Sequence, residues 1–229
     1  MYELYIANKN YSSWSLRPWV LMREHGIAFT EHLVHFAQGT SGASWTAFRT
    51  FSPSGRVPCL RDGERVVWDS LAIVEYLAER HADVWPSHEG ARAWARCAAA
   101  EMHSGFATLR DRCTFNAGIR VRIDDFGDAL NQDIGRIAEL WGEGLAQFGG
   151  PFLAGKTFTA VDAIFAPVVF RVQTYGLKLN PAAEAYVSRM LELRSMRSWY
   201  DEALQETFRH LAHEEEARKT GTWLEDLRA

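Results

Sequence analysis

A mixed α/β unit followed by an all-helical unit is the architecture the sequence predicts, and three observations carry it. Strand-like and helix-like stretches alternate through residues 1–82, a run without periodicity falls at 83–90, and helix formers dominate from 91 to 229. A chain of 229 residues buries roughly 70% of its unfolded surface on folding, so a sizeable core is expected.

Residues 2–7 alternate and are rich in β-formers, which predicts the first strand. Residues 16–25 suit a helix ended by Gly26, with Ser15 as its cap and Pro18 still in its first turn. Alternation returns at 28–36, with Phe29, Glu31, Leu33 and His35 set against Thr30, His32, Val34 and Phe36. This βαβ opening favours parallel strands joined by a right-handed crossover. Residues 38–44 read as a Gly/Ser/Thr loop, 45–49 as a short helix and Ser52-Pro53-Ser54-Gly55 as a turn. Strands at 56–61 and 64–68 flank Asp62-Gly63, a two-residue hairpin signal, before helical composition at 70–80. Pro86 and Gly90 mark 83–90 as a linker. The remainder divides into helices near 91–113, 123–148, 160–175, 182–194 and 196–218.

Composition excludes several classes. The formal net charge is -4, so no general basic field is present to hold nucleic acid. With 47% hydrophobic and 24% charged residues the chain is expected to be ordered. The longest apolar run, 163–170, is interrupted by Pro167 and is far short of the ~20 residues of a membrane span. Residues 1–5 do not show the basic-then-apolar layout of a signal peptide, and a cytoplasmic protein is expected. Cys59, Cys97 and Cys113 are odd in number and lack C-x-x-C spacing, which speaks against a disulfide framework or a Cys-rich zinc site. No metal is expected. The nine Trp residues are assigned to the core and the domain seam.

Three segments hold residues suited to chemistry. Asn10-Tyr11-Ser12-Ser13-Trp14-Ser15-Leu16-Arg17-Pro18 lies between the first strand and helix, where ligands bind in open α/β sheets. Free N–H groups and the positive helix end there favour an anion near Ser12 and Ser13, although the same serines serve as ordinary caps and turns. In Arg56-Val57-Pro58-Cys59-Leu60, Pro58 marks a strand start, an edge or a cis bond, and Cys59 a small buried residue. Asp69 and Ser70 begin a helix and suit either a cap or an α-amino-acid end, Asp69 for its ammonium and Ser70 for its carboxylate.

Together the three resemble the cytosolic glutathione transferase family, most nearly its zeta-like, serine-type branch. Ser-Ser-x-Ser-x-Arg is matched by residues 12–17, x-Val-Pro by 56–58 and Ser-Leu-Ala-Ile-x-Glu-Tyr-Leu by 70–77. Thr159-Ala160-Val161-Asp162 is similar to the family's Ser/Thr-x-x-Asp box, a capping box that nucleates a buried helix. The resemblance implies a thioredoxin-like domain that binds glutathione, an all-helical domain with an apolar pocket for an electrophile, and a two-fold homodimer. It places Ser12 on the glutathione sulfur with Ser13 beside it, the Val57 backbone on the cysteinyl part, Asp69 and Ser70 on the γ-glutamyl end and Arg56 near the glycyl carboxylate.

A thiol with a pKa near 8.5 is only slightly ionised at neutral pH, so activation means stabilising its thiolate. A hydroxyl donor and a helix N-terminus suffice, because each pKa unit needs about 1.4 kcal/mol. The second-substrate pocket is expected around Trp14, Met102, Phe106 and Arg110, near Leu109, Cys113 and His103, with Arg171 as a further contact. A helical stripe such as 102–113 is more often core than pocket lining. Trp14 stands where the zeta pattern has Cys. The arginine of zeta isomerases falls at Thr174, one turn beyond Arg171, which weakens a maleylacetoacetate-type cis-trans isomerase reading. Rival readings are a non-catalytic, transferase-like binding module and glutathione-dependent reduction, the latter without a cysteine at the first helix.

Overall fold

The alternating residues of the first strand and their partners build a four-stranded mixed sheet in the computed structural model, which describes residues 1–39 and 42–228. Thr40 and Ser41, in the expected 38–44 loop, lie outside the described residues. Strands β1 (Tyr2–Ile6), β2 (Phe29–Leu33), β3 (Cys59–Asp62) and β4 (Arg65–Trp68) take the order β2-β1-β3-β4. β1 pairs parallel with β2, Tyr2 opposite Phe29, and antiparallel with β3, Leu4 opposite Leu60. That is the thioredoxin-like arrangement the resemblance implies. Helices α1 (Ser13–Glu24), α2 (Trp45–Phe48) and α3 (Ser70–Ala78) complete the unit.

Two local readings shift. Asp62 pairs with Arg65, so the hairpin loop is Gly63-Glu64, one residue later than expected, and Gly63 takes the positive φ of 60° that the first loop position of a type II′ turn demands. α1 starts earlier than expected because Ser12, not Ser15, caps it: Ser12 Oγ accepts the Ser15 N–H at 3.4 Å. Pro18 therefore lies inside the helix and has no N–H for the Trp14 carbonyl.

The second unit contains α4 (Glu89–Ser104), α5 (Ala107–Arg112), β5 (Ile119–Arg122), α6 (Gly127–Phe148), α7 (Ala160–Tyr175), α8 (Pro181–Glu192), α9 (Arg194–Gln205), α10 (Leu211–Thr220) and β6 (Thr222–Asp226). The helix expected at 91–113 is broken: Gly105 caps α4 and Phe106 adopts a left-handed φ of 58°. That expected at 196–218 divides into α9 and α10. The second unit is helical as expected, with one antiparallel pair added to it, β5 and β6, in which Val121 stands opposite Trp223. In β5, Ile119 and Val121 are buried while Arg120 and Arg122 turn outward, a period-two pattern too short to stand out among helix formers.

α7 is the axis of the core, buried along almost its whole length and packed on α1 and α4. Asp162 anchors its first turn. The carboxylate is fully buried and accepts the Leu153 N–H at 3.0 Å, the Thr159 N–H at 2.9 Å, the Thr159 hydroxyl at 3.2 Å and the Tyr186 hydroxyl at 3.1 Å. Burial pushes its pKa up to about 6, against the pull of those donors.

The seam between the units carries a cluster of polar contacts at the loop before α1. Lys9 and Asn10, in the loop before α1, give their backbone N–H groups to the Glu206 carboxylate at 2.7 and 3.2 Å. The Lys9 ammonium, 3% exposed, lies 2.7 Å from Glu31 and also contacts Glu202. Its carbonyl accepts the Trp199 indole N–H at 3.0 Å, and Asn10 donates its amide to the Ala203 carbonyl.

Two stability predictions follow from these contacts. Asp162→Ala strands buried donors and costs about 3 kcal/mol, a Tm loss of roughly 6–12 °C by calorimetry. Glu206→Ala leaves two loop amides without their acceptor; it costs about 2 kcal/mol in denaturant titrations and speeds amide exchange in residues 9–13.

Candidate functional site

A cleft of about 410 Å³ opens at the N-terminus of α1, between the two units. Ser13 and Trp14 enter it from the first turn of α1, with Tyr11 just before them. The far wall comes from Arg110, Asp111, Thr114, Phe115 and Arg171, and the rim from Phe36, His210, His213 and Glu216.

The two adjacent serines have different tasks. Ser12 is 4% exposed, and its hydroxyl donates to Ser15 Oγ at 2.7 Å while accepting the Ser15 N–H. Ser15 Oγ in turn accepts the Ala7 N–H at 3.3 Å, which ties α1 to the end of β1. Ser12 thus belongs to a local cap. Ser13, at the first helical position, lines the cleft, beside the first-turn amides that lack intrahelical acceptors. With no acidic residue in that turn, the helix presents an uncompensated positive end.

Trp14 is held in a cationic cage. The guanidinium carbons of Arg17 and Arg110 lie 4.3 and 4.8 Å from its ring centroid, and His103 meets it edge-on at 5.3 Å. Arg17 is 2% exposed and contacts Ser70 Oγ at 3.4 Å. Burial, then repulsion from Arg110 and Arg171, pulls its pKa well below the usual range, with Asp69 opposing. Arg171 donates from Nε to the Cys113 carbonyl at 2.7 Å and from Nη1 to the Pro167 carbonyl at 3.3 Å. Its pKa falls to about 10, mainly through burial, which leaves it cationic at neutral pH. Arg110 donates to the Gly105 carbonyl at 2.9 Å, the His103 carbonyl at 3.2 Å and the Met102 carbonyl. Both guanidiniums facing the cleft are thus bonded to carbonyls.

The other sequence candidates separate. Asp69 caps α3 with a positive φ of 72°, accepts the Leu71 N–H at 2.8 Å and stands 3.5 Å from His103 Nε2. Ser70 is buried beneath it; Arg56 is exposed, Val57 half-buried, and the Val57–Pro58 bond is cis. None of these four residues lines the cleft. Of the residues expected around a second-substrate pocket, Trp14, Arg110 and Arg171 line this cleft, whereas Met102 and Phe106 do not. They are 1% and 7% exposed in the common core, because the left-handed turn at Phe106 ends the helical stripe on which they were placed. Thr174 is also buried and donates to the Asn116 carbonyl at 2.7 Å.

Sequence reasoning missed Phe36, Thr114, Phe115, His210, His213 and Glu216. Only the His210-x-x-His213 spacing before an acidic run hinted at a shared helix face. His213 Nε2 lies 2.9 Å from the Phe115 carbonyl and burial lowers its pKa. Cys59 and Cys113 are buried, which raises both thiol pKa values, Cys113 to about 12. Among the described residues, no group of three or more His, Cys, Asp or Glu side chains is arranged to hold a metal, and no helix is long and apolar enough to cross a membrane.

Comparison with known proteins converges on one family. Residues 11–80 match the glutathione S-transferase N-terminal domain, and residues 78–191 the glutathione S-transferase C-terminal domain. The glutathione S-transferase-like protein OpS6 of Beauveria bassiana is 26% identical over 193 residues, spanning 80% of this chain and 84% of that protein. A probable maleylacetoacetate isomerase of Caenorhabditis elegans is 26% identical over 135 residues, 58% of this chain and 63% of that one. A Burkholderia glutathione transferase homolog solved with bound glutathione superposes with a TM-score of 0.66 at 22% identity, covering 88% of this chain and 97% of that chain. With both of its domains matched in order along one chain, and a fold to agree, the protein belongs to the glutathione S-transferase family.

Proposed function

We propose that the protein is a glutathione transferase in which Ser13 stabilises the glutathione thiolate at the N-terminus of α1 for attack on a small electrophile. One observation carries the choice of serine: Ser13 lines the cleft, whereas the Ser12 hydroxyl is donated to Ser15. The tripeptide would lie along the α1 and α3 N-termini, with the Val57 backbone on its cysteinyl part, Asp69 and Ser70 at its γ-glutamyl end and Arg56 toward its glycyl carboxylate. Thiolate formation moves a proton from sulfur to solvent. The hydroxyl and the open helix amides then stabilise the anion without acting as a base. Attack forms the carbon–sulfur bond and expels the leaving group. A two-fold dimer, a cytoplasmic location and a detoxifying role belong to the same reading.

A second reading, isomerisation or conjugation of a carboxylate-bearing substrate, is favoured by Arg110 and Arg171. Two cleft guanidiniums bonded to carbonyls retain positive charge for an incoming anion.

Titration of tryptophan fluorescence with glutathione and an aryl-halide conjugation assay test the main reading; no binding at millimolar glutathione supports a non-catalytic module instead. Ser13→Ala is expected to lower kcat/KM by about 10–100-fold, the worth of one charge-assisted hydrogen bond, with glutathione affinity little changed. Ser12→Ala is expected to act chiefly on stability, through the lost cap, by about 1 kcal/mol. For the second reading, a halogenated carboxylic acid should be turned over at least about 10-fold faster than its neutral amide, a preference that Arg171→Met removes. Equal rates for acid and amide exclude it.

A further inference from the structure

Residues 211–228, beyond the stretch matched to the family's C-terminal domain, return to the catalytic end of the molecule as a strap. α10 carries His213 and Glu216 onto the cleft rim, with His210 as its cap. β6 then pairs with β5, and the Leu227 N–H reaches the Gly118 carbonyl at 2.9 Å. This places Arg228 behind the serine loop. Its side chain is 1% exposed. Nε and Nη2 form a fork on the Asp226 carboxylate at 2.7 and 2.6 Å, and Nη1 donates to the Tyr11 hydroxyl at 2.9 Å and to Glu214. The Tyr11 hydroxyl donates to the same Glu214 oxygen at 2.7 Å, which closes a ring of three side chains.

The ring joins strap and loop one residue before Ser12, and the Tyr11 side chain itself forms part of the cleft wall. Arg228 does not line the cleft, so any effect it has on the reaction passes through Tyr11 and Glu214. Gly118 shows how closely the strap is fitted: a Cβ there would stand 2.3 Å from Arg228 Cγ and 3.0 Å from Asn10 Oδ1.

We propose that Arg228 is a positioning residue for the transferase reaction, holding Tyr11, and through it the Ser12-Ser13 turn, in register with the rim that His213 and Glu216 supply. The inference rests on the glutathione transferase reading above. Displacement of a reacting group by about 1 Å costs on the order of 10²-fold in rate, so a partial release of Tyr11 should be visible.

The test compares wild type with Arg228→Met, Arg228→Lys and Gly118→Ala, reading kcat, KM for the electrophile, glutathione affinity, Tm and amide exchange in residues 8–14. Arg228→Met is expected to lower kcat about 10-fold with glutathione affinity held within about twofold, and to speed exchange at residues 11–14. Gly118→Ala, which keeps every polar group but displaces the Arg228 stem, should reproduce both effects. Arg228→Lys, which restores a cation, should recover part of the rate. Wild-type kcat and exchange in both Arg228→Met and Gly118→Ala overturn the proposal, as does a loss of kcat that follows Tm alone. Failure of the wild type to bind glutathione would remove the reaction itself, yet unchanged exchange in the variants would still refute the strap on its own.

Discussion

The Glu206 carboxylate that accepts the Lys9 and Asn10 amides is the contact on which the site depends. Loops between a strand and a helix ordinarily satisfy their backbone groups locally or with water. Here the loop before α1 is held by the other unit: Glu206 takes two amides, Trp199 caps the Lys9 carbonyl, and Ala203 receives the Asn10 side chain. The Lys9 ammonium, between Glu31 and Glu202, lies 5.0 and 5.5 Å from the centroids of the Trp19 and Trp199 rings, which themselves meet edge-on at 5.2 Å. A buried cation with partners on both units fixes how they meet, because only that arrangement sets Glu31 and Glu202 on either side of it and leaves no charge buried without a partner. Part of the tryptophan excess is explained at the same seam.

That constraint decides what the serines can do. With residues 8–12 pinned, Ser12 turns inward to Ser15 and the end of β1, and Ser13 is left at the cleft with the positive end of α1. Arg17, Arg110 and Arg171 extend the positive potential from behind Trp14 across the wall. Their mutual repulsion, added to burial, is visible in the lowered pKa of Arg17 and Arg171. A thiolate, or a carboxylate on the second substrate, relieves part of that repulsion. Stabilising an anion is therefore what this cleft is suited to do.

Local signals made several elements of the fold legible in both units. The alternation of β1, the Gly63 turn, the Asp69 cap and the Thr159–Asp162 box each depend on residues a few positions apart, and each is present in the structure, the hairpin displaced by one residue. The serine loop was equally legible as a place but not in detail: a cap at Ser12 and one at Ser15 satisfy the same local pattern, and only the inward hydrogen bond to Ser15 separates them. The cleft wall was legible where side chains adjoin the loop or face it from α7, as with Trp14 and Arg171. It failed at Met102 and Phe106, where an unbroken helical period was assumed through a residue that adopts positive φ. It failed again at His210, His213 and Glu216, because their arrival opposite Ser13 depends on α9 and α10 folding back over some 200 positions of chain, a packing outcome with no local sequence signature.

A crystal structure with glutathione bound tests the central claim most directly. The sulfur is expected within hydrogen-bonding distance of Ser13 Oγ at the first turn of α1, with Ser12 still donating to Ser15. Sulfur seated on Ser12, or lying away from the α1 N-terminus altogether, would contradict it.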